Sequence, residues 1–136
     1  MSLRTDKRMA IPCLYYTHYT VFALVSELSG GLEEGCKAIF EIGRKVGERL
    51  RPFIKDLSPE GVWEALFFRS PTRVVRKGEG WLLEDVECPL CEGIELEEGS
   101  TYCHFLAGVL AGALGREVEE VECKAGGGKA CRFFIH

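Results

Sequence analysis

The architecture of this chain can be inferred outward from residues 103–115, which read Cys-His-Phe-Leu-Ala-Gly-Val-Leu-Ala-Gly-Ala-Leu-Gly. The apolar residues of this stretch predict a helix that Ser100 or Thr101 caps and that ends at Gly115. Its uncharged part, from Phe105 to Gly115, is far shorter than the roughly 20 residues that a membrane span needs. We therefore expect no membrane-spanning segment.

Small residues interrupt two predicted helices at the spacing of one turn. Gly108 and Gly112 do so here, and Gly43 and Gly47 do so in an amphipathic helix from Leu32 to Arg51. A glycine inside a helix costs about 1 kcal/mol relative to alanine, so a helix that keeps two of them is expected to have a close neighbour. In water, small residues at this spacing mark internal packing more often than a dimer interface.

The remaining periodicity predicts an α+β fold, with N-terminal helices followed by a small antiparallel sheet of two hairpins with an intervening helix. Residues 14–28 are predicted helical, although the aromatic run within them is also typical of a strand. Ser58 and Pro59 begin a short helix that extends to about Phe68. The predicted strands are residues 72–76, 81–86, 118–123 and 130–135. We expect residues 1–136 to form one domain.

Composition excludes several classes of protein. The chain has 136 residues, 17 basic and 21 acidic side chains and a formal charge of -4, with no basic cluster. A nucleic-acid partner is not expected, because such proteins carry clustered positive charge. The N-terminus lacks the apolar core of a signal peptide, so we expect a reducing, cytoplasmic location.

Seven cysteines in such a chain need an explanation other than disulfides. Cys13 and Cys36 stand apart and are expected to be small buried hydrophobes. The other five lie in the C-terminal part of the chain, and they are Cys88, Cys91, Cys103, Cys123 and Cys131. We expect them to form a metal site. Zinc fits best, because it accepts thiolates and carboxylates in a closed tetrahedral site. An iron–sulfur cluster is the minor alternative.

Spacing alone leaves the ligand set open. Cys88 and Cys91 form a metal knuckle that could join Cys123 and Cys131, or they could be a redox dithiol. Cys103, Cys123 and Cys131 could instead take Glu120 as the fourth donor, provided that the strand carrying the glutamate bends. His104 could replace Cys103 as a ligand.

A family resemblance rests on these residues. Residues 103–112, followed by Glu-Val-Glu-Cys at 120–123 and by Cys131, resemble the C-terminal signature of the 4-vinyl reductase domain family. Gly43-Arg44-x-x-Gly47-Glu48 is similar to that family's upstream helix, so the resemblance covers residues 35–136. One departure is that Gly127-Gly128 stands where the family has glycine and then aspartate.

The resemblance implies a fold related to subunits of the transport particle TRAPP, and a domain that dimerises through helices. It also implies one zinc ion held by Cys103, Glu120, Cys123 and Cys131, with Cys88 and Cys91 outside the set. The implied function is to bind a small hydrophobic, aromatic or lipid-like ligand. The alternatives are a protein-interaction or dimerisation module, or an accessory protein in tetrapyrrole vinyl reduction.

Apolar and aromatic side chains line most ligand pockets. The expected walls are Phe22, Phe40, Phe53, Trp63, Phe67 and Phe105. The chain has no dinucleotide fingerprint, P-loop or catalytic dyad, so we expect a binding domain rather than an enzyme. Gly126-Gly127-Gly128 lies between two strands and is expected to be a turn.

Overall fold

The computed structural model describes residues 7–136, with side chains from Pro12 onward. Four α-helices and four strands follow one another within these residues, and the predicted α+β class is confirmed. The elements are α1 (Lys7–Leu28), α2 (Leu32–Leu50), α3 (Pro59–Phe67), β1 (Arg73–Lys77), β2 (Gly80–Asp85), α4 (His104–Leu114), β3 (Val118–Glu122) and β4 (Cys131–Ile135). No helix among residues 7–136 is long and apolar enough to span a membrane.

The two predicted hairpins form one antiparallel sheet in the order β1-β2-β4-β3. The hairpins join through β2 and β4, whose register pairs Trp81 with Ile135 and Asp85 with Cys131. Alternate residues of β4 are buried, so one face of the sheet contributes Phe133 to the core. The Phe133 ring lies 5.7 Å from that of Trp63 on α3.

The four glycines that are paired at the spacing of one helical turn belong to one interface between α2 and α4. A Cβ atom added at Gly43 would lie 2.3 Å from the Phe105 carbonyl oxygen, and one added at Gly108 would lie 2.1 Å from that of Phe40. The second pair repeats this arrangement one turn later, with Gly47 against Val109 and Gly112 against Arg44. The expected close neighbour and the internal role of the glycines are both confirmed.

Several element boundaries follow from local chemistry. The Ser58 hydroxyl accepts a hydrogen bond from the Gly61 N–H at 3.1 Å and caps α3, as predicted. The aromatic part of α1 is helical, so the strand alternative is wrong. The predicted cap of α4 is also wrong: α4 begins after Cys103, whose side chain makes no capping bond, and the Thr101 hydroxyl contacts His104 Nε2 at 2.9 Å.

The helix interface predicts an unusual response to a glycine-to-alanine substitution. Alanine normally stabilises a helix by about 1 kcal/mol relative to glycine. In Gly112→Ala the new Cβ would lie 2.0 Å from the Arg44 carbonyl oxygen, so we expect a loss of at least about 2 kcal/mol. Urea unfolding measures the difference.

The control is Lys45→Ala on the exposed side of α2, which we expect to change stability by less than about 0.5 kcal/mol. A Gly112→Ala protein as stable as the natural one would show that α2 and α4 do not approach this closely.

Candidate metal centre

Six potential metal ligands converge from four parts of the chain. Cys88 and Cys91 lie in the loop after β2, Cys103 lies directly before α4, and Cys131 begins β4. The other two donors belong to β3 and the residue after it, and they are Glu120 and Cys123. All five sulfurs belong to buried residues, and each is a free thiol.

The loop that carries Cys88 is held in place by a buried carboxylate. Asp85 is fully buried and accepts a hydrogen bond from Trp63 Nε1 at 2.9 Å. The Arg69 guanidinium lies 2.9 Å from the same carboxylate and also donates to the Glu87 carbonyl at 2.7 Å. Sequence reasoning missed Asp85, because its partners are remote in sequence and no motif contains it.

A β-bulge brings Glu120 to the cluster. Glu120 pairs with Phe133, but Glu122 pairs with Arg132, so Val121 is the extra residue. The predicted bend in this strand is therefore present. Both carboxylate oxygens of Glu120 are buried and have no hydrogen-bond partner.

The turn after Cys123 is tightly built. The Cys123 carbonyl accepts hydrogen bonds from the N–H groups of Gly126 and Gly128 at 3.1 and 2.9 Å. Gly127 has φ of 89°, which favours glycine. A Cβ at Gly128 would lie 2.6 Å from Glu122 Cγ. The neighbouring side chain therefore leaves little room for a Cβ at this position, where the family pattern has aspartate and this chain has glycine.

Sulfur–sulfur distances show how compact the cluster is. Cys88 lies 3.7 Å from Cys103, and Cys123 lies 3.9 Å from Cys131. Cys91 lies 2.9 Å from Cys103, 3.3 Å from Cys131 and 3.5 Å from Cys123. Four thiolates about 2.3 Å from a tetrahedral zinc ion are about 3.8 Å from one another. The Cys88–Cys103 and Cys123–Cys131 separations match this value, whereas the three separations from Cys91 are shorter.

The close contacts of Cys91 make a possible set of four with Cys103, Cys123 and Cys131. Two further sets also have all ligand atoms within 4.8 Å of one another. One set contains Cys88, Cys91, Cys103 and Cys131, and the other contains Cys103, Glu120, Cys123 and Cys131. The second set is the one that the family resemblance implies. His104 belongs to neither set, and its ring contacts Thr101 instead.

Burial and close contact perturb the acid–base chemistry of the cluster. Burial raises the pKa of Cys103 and of Glu120 well above their usual values. Hydrogen bonding from Cys103 lowers the pKa of Cys131 to about 5 and that of Cys123 to about 6. Thiolates are thus accessible at neutral pH, and the buried Glu120 carboxylate requires either a proton or a cation. The donor set therefore fits a thiophilic metal ion.

The two remaining cysteines differ from expectation. Cys13 is exposed on α1, so its prediction as a buried hydrophobe is wrong. Cys36 is half-buried on α2, where it packs against the core and also lines a groove. The error for Cys13 arose because the sequence does not show which side of α1 faces solvent.

This groove lies beside the metal cluster. It has a volume of about 820 Å³ and is bounded by α2, by the segment leading into α4 and by β3. Glu120 lines the groove as well as belonging to the second donor set. The other lining residues include Leu32, Cys36, Phe40, His104, Ala107 and Val118.

The six aromatic residues expected in a pocket occupy different places. Phe40 lines the groove, and Phe105 lines a separate cleft of about 130 Å³ between α1 and α2. Trp63 and Phe67 are fully buried, and their tilted rings lie with centroids 4.8 Å apart. Phe22 is buried, whereas Phe53 is 83% exposed.

The cleft beside Phe105 has a polar group in its wall. His18 is buried there, and neither of its ring nitrogens has a hydrogen-bond partner. Burial lowers the pKa of His18 to about 4, so the imidazole is neutral at pH 7. The ring stacks edge-on against Tyr102 at 4.7 Å and is therefore part of an aromatic cluster.

The fold and the thiol cluster define an α+β domain with a candidate cysteine-rich metal centre. Many solved structures are similar to it, and three of them illustrate the range. A trafficking protein particle complex subunit 3 from Naegleria fowleri, covalently bound to palmitic acid, has a TM-score of 0.74 and 16% identity over 96% of both chains. A vinyl-4-reductase family protein from Methanocaldococcus jannaschii has a TM-score of 0.59 and 19% identity, covering 99% of this chain and 83% of its own.

The third is the phenol-responsive sensory domain of the transcription activator PoxR, with phenol. It has a TM-score of 0.55 and 18% identity, covering 87% of this chain and 73% of its own. No protein-family profile and no curated protein sequence matches the chain. The likeness to both groups that the sequence motifs predicted is confirmed, and at these identities it concerns the fold.

Proposed function

We propose that this chain is a zinc-stabilised domain that binds a small, neutral, largely apolar ligand in the groove between α2 and β3. The observation that carries the proposal is the double position of Glu120. Its carboxylate belongs to a four-donor metal set, and the same residue lines the groove. A metal ion bound there would fix one wall of the ligand site.

The zinc ion of this proposal is held by Cys103, Glu120, Cys123 and Cys131. Its chemistry would be structural, because four protein ligands leave no open position for water or substrate. A metal centre built on thiolates needs reduced cysteines, so we place the protein in the cytoplasm.

The groove favours a neutral ligand for electrostatic reasons. Its lining includes four glutamates and one lysine: Glu33, Glu41, Glu119, Glu120 and Lys37. The lysine already pairs with Glu34 at 3.3 Å. A free carboxylate on a ligand would therefore meet net negative charge, whereas an alcohol or a phenol would not.

The similar structures support the ligand class. One is covalently bound to palmitic acid and another was determined with phenol, so this fold accommodates both a long apolar chain and a small aromatic alcohol. The groove volume lies within the range of small-molecule sites. Burial raises the pKa of the Cys36 thiol, which disfavours the thiolate needed for covalent attachment, so we expect reversible binding.

Zinc is tested by one cysteine substitution and its matched control. Cys131→Ser removes a ligand common to both donor sets and is expected to reduce bound zinc and to lower Tm by about 10 °C or more. Elemental analysis and thermal unfolding measure the two effects. Cys13→Ser changes an exposed thiol and should leave both unchanged. A zinc-free natural protein would contradict the proposal.

Ligand binding is tested with neutral probes and with acids that carry the same apolar group. Hexadecanol and phenol are expected to stabilise the protein in thermal-shift and calorimetric titrations, at least tenfold more tightly than palmitate and benzoate. Cys36→Trp fills the groove and should abolish the effect. Lys45→Trp lies on the exposed side of the same helix and should not. Equal binding of acids and alcohols would refute the charge argument.

A second candidate function is self-association through α1. The chain has no Asp, Glu, Lys or Arg from Cys13 to Ser26, and large apolar side chains on this helix face solvent. They are Tyr16, Tyr19, Leu24 and Leu28, with exposures of 68%, 53%, 52% and 85%. An apolar helix face of this kind is typical of a protein interface, so we propose a homodimer. The tetrapyrrole role stays a prediction.

The dimer is tested by adding charge to this face. Leu24→Glu with Leu28→Glu is expected to convert a dimer into a monomer in sedimentation velocity, with zinc content unchanged. Glu27→Gln alters the same helix turn without adding charge and should leave the dimer intact. A natural protein that sediments as a monomer at every concentration would contradict this second function.

A further inference from the structure

Two side chains are placed to occupy the same position in the metal cluster. The thiols of Cys103, Cys123 and Cys131 form a set of four with Glu120, in which all ligand atoms lie within 4.8 Å of one another. The Cys91 sulfur lies close to the same three sulfurs, at 2.9 Å from Cys103, 3.5 Å from Cys123 and 3.3 Å from Cys131. A structural zinc ion takes four ligands, so three shared thiolates leave one position for either Cys91 or Glu120.

We propose that Cys91 and Glu120 are alternative fourth ligands of one zinc ion, and that the ligand in the groove selects between them. When the groove is empty, four thiolates hold the ion and Glu120 is released. When an apolar ligand is bound, Glu120 takes the place of Cys91, so the set with Glu120 is that of the ligand-bound domain. This inference rests on the zinc site and the groove of the proposed function, to which it adds a metal ligand and a coupling between the two sites.

The position of Cys91 is that of a fourth thiolate. The Cys123 and Cys131 sulfurs are 3.9 Å apart, close to the separation of about 3.8 Å that a tetrahedral zinc ion requires of its thiolates. The three separations from Cys91 would have to grow by less than about 1 Å to reach that value. Cys91 is buried and lies in the loop after β2, so this adjustment involves a loop and not a strand or a helix.

Glu120 connects the choice of metal ligand with the groove. Both of its carboxylate oxygens are buried without a hydrogen-bond partner, and the residue also forms part of the groove wall. A carboxylate that is neither hydrated nor next to a cation is costly, so a released Glu120 is expected to turn toward the groove, where water can solvate it. An apolar ligand displaces that water. The bound ligand therefore favours the arrangement in which Glu120 contacts the metal ion.

The exchange is balanced in atoms and needs no oxidant or reductant. The bond from the metal ion to the Cys91 sulfur breaks, and a bond to one Glu120 oxygen forms. The released Cys91 thiolate takes up one proton from water. Because the ligand stabilises one of two arrangements, the thiolate that stabilises the other must weaken ligand binding by the same free energy. Removal of Cys91 should therefore tighten binding in the groove.

Cobalt substitution tests the exchange in the natural protein. Charge-transfer absorption from sulfur to Co²⁺ scales with the number of thiolates, so hexadecanol is expected to lower it by about one quarter as four thiolates become three. On the zinc protein, X-ray absorption should show a zinc–oxygen distance of about 2.0 to 2.2 Å only when hexadecanol is present. Unchanged spectra in a protein that binds hexadecanol by calorimetry would overturn the exchange and leave the proposed function intact.

Two substitutions separate the alternative ligands. Cys91→Ala should show the three-thiolate spectrum with and without hexadecanol, and should bind hexadecanol at least about threefold more tightly because the competing thiolate is gone. Glu120→Gln should keep the four-thiolate spectrum under both conditions. Cys13→Ser alters an exposed thiol outside the cluster and should respond as the natural protein does. A response that persists in Cys91→Ala but is lost in Cys88→Ala would overturn the role of Cys91.

The remaining outcomes concern the proposed function as well. A natural protein that binds neither zinc nor cobalt would overturn both the zinc site and the exchange. A metal-bound protein that does not bind hexadecanol would overturn the groove as a ligand site, and the exchange would fail with it because nothing would select Glu120.

Discussion

The close contact between α2 and α4 is the constraint on which the rest of the molecule depends. Glycines on each helix lie against backbone carbonyl groups of the other, so the two backbones approach more closely than side chains would allow. This contact fixes the start of α4, because Gly108 lies against Phe40 only when Phe105 faces Gly43. Cys103 and His104 come immediately before that point.

The same contact shapes both parts of the candidate site. Because α4 is held against α2, Cys103 is fully buried at the cluster and Ala107 faces the groove. The sheet supplies the opposite wall through β3. The pairing of β2 with β4 then sets Cys131 directly beside Asp85, three residues before the Cys88 knuckle. The contact between α2 and α4 and the pairing of β2 with β4 thus bring together candidate ligands from distant parts of the chain.

How much of the structure could be predicted from the sequence depended on how far apart the interacting residues lie along the chain. Local periodicity was sufficient for α2, α3 and both hairpins, and the glycine spacing correctly indicated a close helix partner. The joining of the hairpins through β2 and β4 depends on contacts about 50 residues apart in sequence, which no local pattern encodes. Asp85 was missed for a similar reason, because its partners Trp63 and Arg69 lie 22 and 16 residues away, on α3 and in the connection that follows it.

The bulge in β3 shows how one extra residue connects the candidate metal centre with the groove. In a regular strand Glu120 and Glu122 would point to the same side, since side chains alternate. With Val121 inserted, Glu120 turns to the buried cluster while Glu122 pairs with Arg132 at 3.1 Å. The backbone irregularity thus separates two acidic residues of one strand into a buried candidate ligand and a partly exposed ion pair. Because Glu120 is also part of the groove wall, a metal ion that orders its carboxylate would order one wall of the groove through a single side chain.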